Sequence, residues 1–169
     1  METIKAIKTR RAIRQFKDKE VPDKIIKEIL SAAMHAPSAH NEQPWQFVVI
    51  KDKETMKKMQ KLSPWLGMLD TAPAAILVCG DKKLEKAEGY WVQDCSACAM
   101  LLWISAHDQG LGAVWCGIYP REDRVKGFQE LLDLPKQVIP LCLMPIGYPA
   151  EKKTREDRYK EERIHEDKW

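Results

Sequence analysis

The sequence lacks the features that would place the protein in a membrane, in a secretory pathway or on nucleic acid. No apolar run approaches the roughly 20 residues that a bilayer-spanning helix needs, and the stretch METIKAIKTRR has no apolar signal-peptide core. The five cysteines are an odd number without the spacing of a disulfide framework, which is typical of a reducing compartment. The 28 basic and 25 acidic residues nearly balance, which argues against a nucleic-acid partner. We therefore expect a cytoplasmic protein that binds neither membrane nor nucleic acid.

Signatures of several common catalytic and nucleotide-binding sites are also missing. The four histidines form no HxxxH or HExxH pattern, so no metal site is assigned. There is no G-x-S-x-G and no P-loop, and the glycines of GLGAVWCG do not have the G-x-G-x-x-G spacing of a dinucleotide-binding fold. Cys95 and Cys98 form a C-x-x-C inside an apolar helix pattern without a second pair, which favours packing over chemistry.

The sequence has the composition of one globular domain, with 169 residues of which 44% are hydrophobic and 31% charged. Apolar spacing and proline or glycine punctuation predict helices over 2–9, 21–36, 53–62, 87–109 and 121–132, and strands over 46–50, 71–80, 110–118 and 138–149. Helices and strands do not alternate strictly, so we expect an α+β sandwich around one sheet. The charged tail ends in Trp169, which points to a dimer with exchanged termini.

Two polar segments stand out from this framework. In APSAHNEQPWQF (36–47), several side-chain donors and acceptors, among them Ser38, Asn41 and Gln43, lie in one helix-to-strand corner. They could satisfy the backbone at the helix end, or meet the polar edge of a flat heteroaromatic ring. TRRAIRQF (9–16) carries three arginines that either form a solvated surface or hold a phosphate, and continued helix would place Arg10 and Arg14 on one face.

The chain resembles the nitroreductase family of FMN-dependent oxidoreductases. The segments that carry the resemblance keep the family's order and are TRRAIRQF (9–16), APSAHNEQPWQF (36–47), TAPAAILVCG (71–80), GLGAVWCGI (110–118) and IGYP (146–149) with the basic tail. The resemblance implies an α+β sandwich in which helices flank a central, mostly antiparallel sheet. It also implies an intertwined homodimer with FMN at the subunit interface, in which residues 1–169 form one domain and the tail from about 150 to 169 packs on the partner.

The same resemblance assigns the residues that contact FMN. Arginines of 9–16 and one arginine of the tail hold the phosphate and one edge of the flavin, the polar turn reaches it from the partner subunit, and 115–117 border its other side. In chain order the assigned residues are Arg10, Arg11, Ala12, Arg14, Pro37, Ser38, Ala39, Asn41, Gln43, Trp115, Cys116, Gly117 and Arg158. The flavin supplies the chemistry, so no side chain is assigned as catalytic.

Three positions and one segment depart from the family pattern and bear on the substrate more than on the cofactor. Ala12 replaces a hydroxyl residue, and Glu156 stands where a basic residue is common, so Lys153 or Arg155 could substitute. Ile118 stands where some relatives carry an acid. Residues 62–70 form a short segment that is expected to supply few lid residues above the ring.

The function that follows is a two-step exchange in which NADH or NADPH reduces the flavin at N5 and a nitroaromatic, quinone or enone then takes the electrons. One alternative is a specialised relative, either a reductive dehalogenase or a flavin-destroying oxygenase. Another is an FMN-binding sensor or store with little turnover. A third is a basic module that binds nucleic acid and no flavin, against which the charge balance argues.

Overall fold

A five-stranded antiparallel sheet lies at the centre of the protein, in a computed structural model that describes residues 2–169. The helices are α1 (Thr3–Thr9), α2 (Asp23–Ala33), α3 (Lys53–Gln60), α4 (Trp91–Asp108) and α5 (Glu122–Leu131). The strands are β1 (Trp45–Ile50), β2 (Ala74–Asp81), β3 (Gly112–Ala113), β4 (Cys116–Gly117) and β5 (Val138–Gly147). Short 3₁₀ turns occupy Ala39–Asn41, Gly67–Asp70 and Glu161–Arg163.

The sheet is ordered β1, β2, β5, with β3 and β4 both paired to the remaining edge of β5. The single strand predicted over 110–118 is wrong in that Val114 and Trp115 interrupt it. Both pieces keep the same register on β5, which places Val114 opposite Pro145. Proline has no N–H to give to the ladder, so pairing lapses there. The interruption leaves Trp115 half-buried beside a cavity.

Helices cover both faces of the sheet, as predicted for an α+β sandwich. Successive side chains of a strand point to opposite faces. Ile76 and Val78 therefore join a buried cluster with α2 and α4, whereas Leu77 and Cys79 join a second cluster with α3 and α5. Full burial of each large aliphatic side chain stabilises the fold by about 1.5–3 kcal/mol. These two apolar layers hold the sheet and set the positions of the loops at its edge.

The segment after α1 is extended, so the helical continuation that would align Arg10 with Arg14 does not occur. Ala12 forms a parallel bridge to Ala113, and the N–H of Ile13 donates to the carbonyl of Ala113 over 3.0 Å. A Cβ on Gly112 would lie 2.6 Å from the Cβ of Ile13, a distance that side chains do not tolerate. Residues 10–16 thus run along the edge of the sheet. They approach β3 closely because Gly112 has no side chain.

Helix α4 begins later than the predicted range of 87–109 because Gly89, at a φ of 86°, turns the chain just before it. Its buried side chains include Cys95 and Cys98, so the C-x-x-C packs in the core as predicted. Burial raises the pKa of Cys98 to about 12 and raises that of Cys95 as well, which keeps both thiols protonated. Within residues 2–169, no helix combines the length and apolarity that crossing a bilayer requires.

Candidate functional site

A cavity of about 1060 Å³ opens beside the edge of the sheet. Four parts of the chain form its wall: the extended residues 14–16, the loop 63–68 after α3, the segment 114–118 that carries β4, and residues of α5. Three of the predicted ring-bordering residues, Trp115, Cys116 and Gly117, line it together with Arg14. Its size is that of a ligand pocket for a flat heterocycle and a second small molecule.

Two sulfur-containing side chains lie side by side in the wall of this main cavity. The Sγ of Cys116 lies 3.8 Å from the Sδ of Met68. Burial raises the pKa of Cys116 to about 11, against a smaller lowering effect of Arg14. The thiol is therefore protonated at neutral pH and is not an activated nucleophile. Cys116 is accordingly a neutral wall of the cavity.

Residues 62–70 contribute more to the main cavity than their length predicts, and the expectation of few lid residues is wrong. Ser63 through Met68 all line the cavity, and Trp65 is 70% exposed at its margin. The hydroxyl oxygen of Ser63 accepts a hydrogen bond from the N–H of Trp65, which helps to hold the loop. A tryptophan between a proline and a glycine in a connecting loop is the sequence signal that would have identified this wall.

A second cavity, of about 520 Å³, is lined by arginines from both ends of the chain. Arg10 and Arg11 meet Arg155 and Arg158 of the tail there. Burial and the charges of Arg158 and Arg11 lower the pKa of Arg10, and its guanidinium lies 3.8 Å from the ring centre of Trp103. The two basic groups therefore converge within one chain, and their shared contact with a phosphate stays a prediction.

One nitrogen of this arginine cavity is left without a partner in the described residues. Arg11 donates from Nε to the carbonyl of Thr154 over 2.7 Å, but its buried Nη2 has no hydrogen bond. Glu156 forms a 3.1 Å ion pair with Arg158, with both side chains largely exposed. A buried, unpaired guanidinium nitrogen among like charges is the arrangement that a phosphate satisfies.

The extended segment 10–16 connects the two cavities. Arg10 and Arg11 line the arginine cavity, Arg14 lines the main cavity, and Ala12 lies between them, paired to Ala113. The resemblance assigned these arginines to the phosphate and one edge of the flavin. The structure divides them between the arginine cavity and the main cavity.

The polar turn lies elsewhere, and none of residues 37–43 lines either cavity. The hydroxyl of Ser38 accepts from the N–H of Gln43 over 3.0 Å, and Gln43 Nε2 donates to Asn41 Oδ1 over 2.7 Å. Part of the turn therefore satisfies its own backbone, as one of the two interpretations predicted. Asn41 and Gln43 are nevertheless exposed, both at positive φ, so their remaining polar atoms face outward.

Two buried acids anchor this turn, and sequence reasoning did not identify that role. Glu42 accepts from the N–H groups of Lys86 and Ala87 over 2.6 and 3.0 Å. Asp94, in the first turn of α4, accepts from the N–H of Ala39 over 3.1 Å. The carboxylates thus connect the turn to the segment that leads into α4.

Comparison with known proteins places the chain in a family. The family model described as "Nitroreductase family" matches residues 7–66 and 62–148. A relative from Methanothermobacter thermautotrophicus, named "Putative NADH dehydrogenase/NAD(P)H nitroreductase", is 48% identical over 169 residues, which cover 100% of this chain and 88% of the relative.

Solved structures agree with the family model. A crystal structure of a protein of the same name from Parabacteroides distasonis superimposes with a TM-score of 0.95 at 35% identity, covering 100% of this chain and 99% of that one. The structure of an "FMN-dependent Nitroreductase" from Clostridium difficile matches with a TM-score of 0.91 at 30% identity, over 98% and 99% of the two chains. The chain belongs to the nitroreductase family.

Proposed function

We propose that the protein is an FMN-dependent oxidoreductase that uses NADH or NADPH to reduce electrophilic small molecules such as nitroaromatics, quinones or enones. The observation that carries the proposal is the buried, unpartnered Nη2 of Arg11 in an arginine-lined cavity. That cavity is joined by one extended segment to a larger cavity with aromatic and sulfur-containing walls. A phosphate on a flat ring system matches this pair of sites, and relatives named for FMN and NAD(P)H support the assignment.

The residues present fit the two ends of FMN. Arg10, Arg11 and Arg158 would hold the phosphate, because the basic side chains that line the arginine cavity outnumber its two acids, Glu156 and Asp157. Ala12 offers only backbone to the cofactor, since it has no hydroxyl.

At the ring end, Arg14 would lie at one edge, and Trp115, Cys116 and Gly117 would border the other side. When bound, FMN supplies hydride acceptance at N5 and electron donation to the second substrate. The chain's own contribution is to bind, orient and exclude water. No side chain has to act as a nucleophile, which agrees with the protonated thiol of Cys116.

The polar turn would complete the site of a second copy of this chain. Within one chain the turn does not line the cavities, yet Asn41 and Gln43 are exposed. We therefore propose a homodimer in which Pro37, Ser38, Ala39 and Asn41 reach the flavin of the partner subunit, with Gln43 close by. The tail supports the same arrangement, because Trp169 is exposed and contacts only the ring of His165 in the described aromatic contacts. Each chain would be one domain whose tail packs on its partner.

The test is a visible absorption spectrum of the purified protein, recorded before and after anaerobic addition of NADH and then NADPH. Oxidised-flavin bands that bleach within seconds to minutes of adding either nucleotide support the proposal and show which donor is preferred. Bands that persist with both nucleotides would indicate a sensor or store. A colourless protein that FMN does not reconstitute would refute the cofactor assignment.

A further inference from the structure

Glu42 and Asp94 are only 6% and 5% exposed, and each uses one carboxyl oxygen to bind backbone. Oε2 of Glu42 accepts from Lys86 and Ala87, and Oδ1 of Asp94 accepts from Ala39. The other oxygens, Glu42 Oε1 and Asp94 Oδ2, are buried and have no donor among the described residues. Ala39 links the two acids, because its N–H donates to Asp94 over 3.1 Å and its carbonyl accepts from the N–H of Glu42 over 2.9 Å. The two carboxyl groups also interact with each other directly, since each shifts the pKa of the other.

Two buried acceptors in contact are costly unless a proton lies between them. We propose that Asp94 and Glu42 share one proton, and that this acid pair is the positioning device that holds turn 38–43 in the shape that the partner's flavin requires. The second half of this statement rests on the proposed function, whereas the shared proton does not.

The surroundings favour the proton on Asp94. Burial raises the pKa of Asp94, and the neighbouring carboxylates Glu42 and Glu85 raise it further, against a lowering N–H from Ala39. Burial acts to raise the pKa of Glu42 too, but the N–H groups of Ala87 and Lys86 and the hydrogen bond from Asp94 lower it overall.

Other titratable groups face the pair. The charge of His40, in the same turn, lowers the pKa of Glu42, and the thiol of Cys95 lies on the next position of α4. Glu85 is itself paired to Lys82. An acid whose pKa is raised on folding adds stability that is complete below its unfolded value and is lost as the pH rises through the folded value. The acid pair should therefore weaken in the alkaline direction.

The turn needs such an anchor because its backbone is strained. His40, Asn41 and Gln43 all have positive φ, between 47° and 52°, a backbone conformation that is unfavourable for L residues. The acid pair attaches this turn at two points. Asp94 of α4 accepts from the N–H of Ala39, and Glu42 accepts from the N–H of Lys86 in the loop that precedes α4. Loss of the anchor would let the turn relax.

Amide substitutions test the proton directly. In Asp94→Asn, Oδ1 can still accept from Ala39 while Nδ2 donates to Glu42, as the protonated acid does. In Glu42→Gln, Oε1 can accept from the backbone while Nε2 donates to an ionised Asp94. Each single variant thus keeps one donor between the groups. The double variant D94N/E42Q places two N–H₂ groups face to face with no acceptor.

FMN affinity and the urea unfolding midpoint of the full-length protein are measured for the wild type, both single variants and the double variant. We expect each single variant to stay within about threefold of the wild-type affinity, and the double variant to lose about tenfold or more, since an unsatisfied buried polar group disfavours the folded turn. The urea midpoint of wild type should also fall with rising pH relative to that of Asp94→Asn. If the double variant fails to fold while both single variants fold, that result would support the acid pair in the same way.

Losses in the double variant that equal the product of the single losses, with pH profiles that match between wild type and Asp94→Asn, would overturn the shared proton. Non-additive urea midpoints with unchanged FMN affinity would overturn the role of the turn. Failure of the wild type to bind FMN would remove the proposed function, while the midpoints would still test the acid pair.

Discussion

Replacing Arg11 should separate recognition of the FMN phosphate from recognition of the flavin ring. The buried Nη2 of Arg11 has no partner in the described residues, and the Arg11 side chain lines the arginine cavity. A hydrogen bond between charged groups contributes about 1.5–3 kcal/mol, so Arg11→Ala should weaken FMN binding roughly 10- to 150-fold. Arg10 and Arg158 remain, so binding should be weakened rather than abolished. Arg11→Lys should fall between, because it keeps the charge and loses the planar fork.

Riboflavin provides the matched ligand, since it has the ring without the phosphate. Quenching of flavin fluorescence on titration gives the dissociation constants of both ligands for wild type and Arg11→Ala. The variant should approach equal affinity for FMN and riboflavin, with riboflavin binding unchanged. Arg163→Ala is the control, because Arg163 is exposed and lines neither cavity. Unaltered FMN affinity, or an equal loss for both ligands, would refute the assignment of Arg11 to the phosphate.

Three further predictions concern the margin of the main cavity and the stability of the fold. Trp65→Ala should raise the KM for a flat aromatic quinone several-fold and leave the KM for ferricyanide unchanged, because the exposed ring of Trp65 lies at the margin of the main cavity. Steady-state kinetics in which the two KM values change equally would contradict this prediction. Gly112→Ala should destabilise the fold by about 1–3 kcal/mol in urea unfolding, since its Cβ would meet that of Ile13 at 2.6 Å, whereas Gly67→Ala, with open space, should be near neutral. Burial and the charge of Arg10 lower the pKa of His107 below 6.5, so the free energy of unfolding should fall as the pH drops through the lowered pKa. A His107→Asn variant that loses stability over the same acidic pH range as wild type would exclude His107 as the cause.

Much of the fold could be predicted because its signals are local. The continuous apolar run of 74–80 identifies a buried strand, and the helical spacing of 23–33 identifies a buried helix face, without reference to the rest of the chain. Errors arose where a distant residue decided the outcome. The strand predicted over 110–118 breaks at Val114 because Pro145 faces it. Arg10 and Arg14 do not share a helical face because Ala12 and Ile13, which lie between them, pair with Ala113.

The sequence by itself determined the family, the α+β class and the residue types of the site, since a motif such as R-R-x-I-R-x-F keeps its side chains at a fixed spacing. Only the tertiary structure decided that Arg11 meets Arg158 at one end while Arg14 faces the main cavity, and that Trp65 forms part of its wall. It alone also brought Glu42 against Asp94. Contacts between residues far apart in the chain depend on how the sheet and helices pack, and local patterns carry no record of that packing.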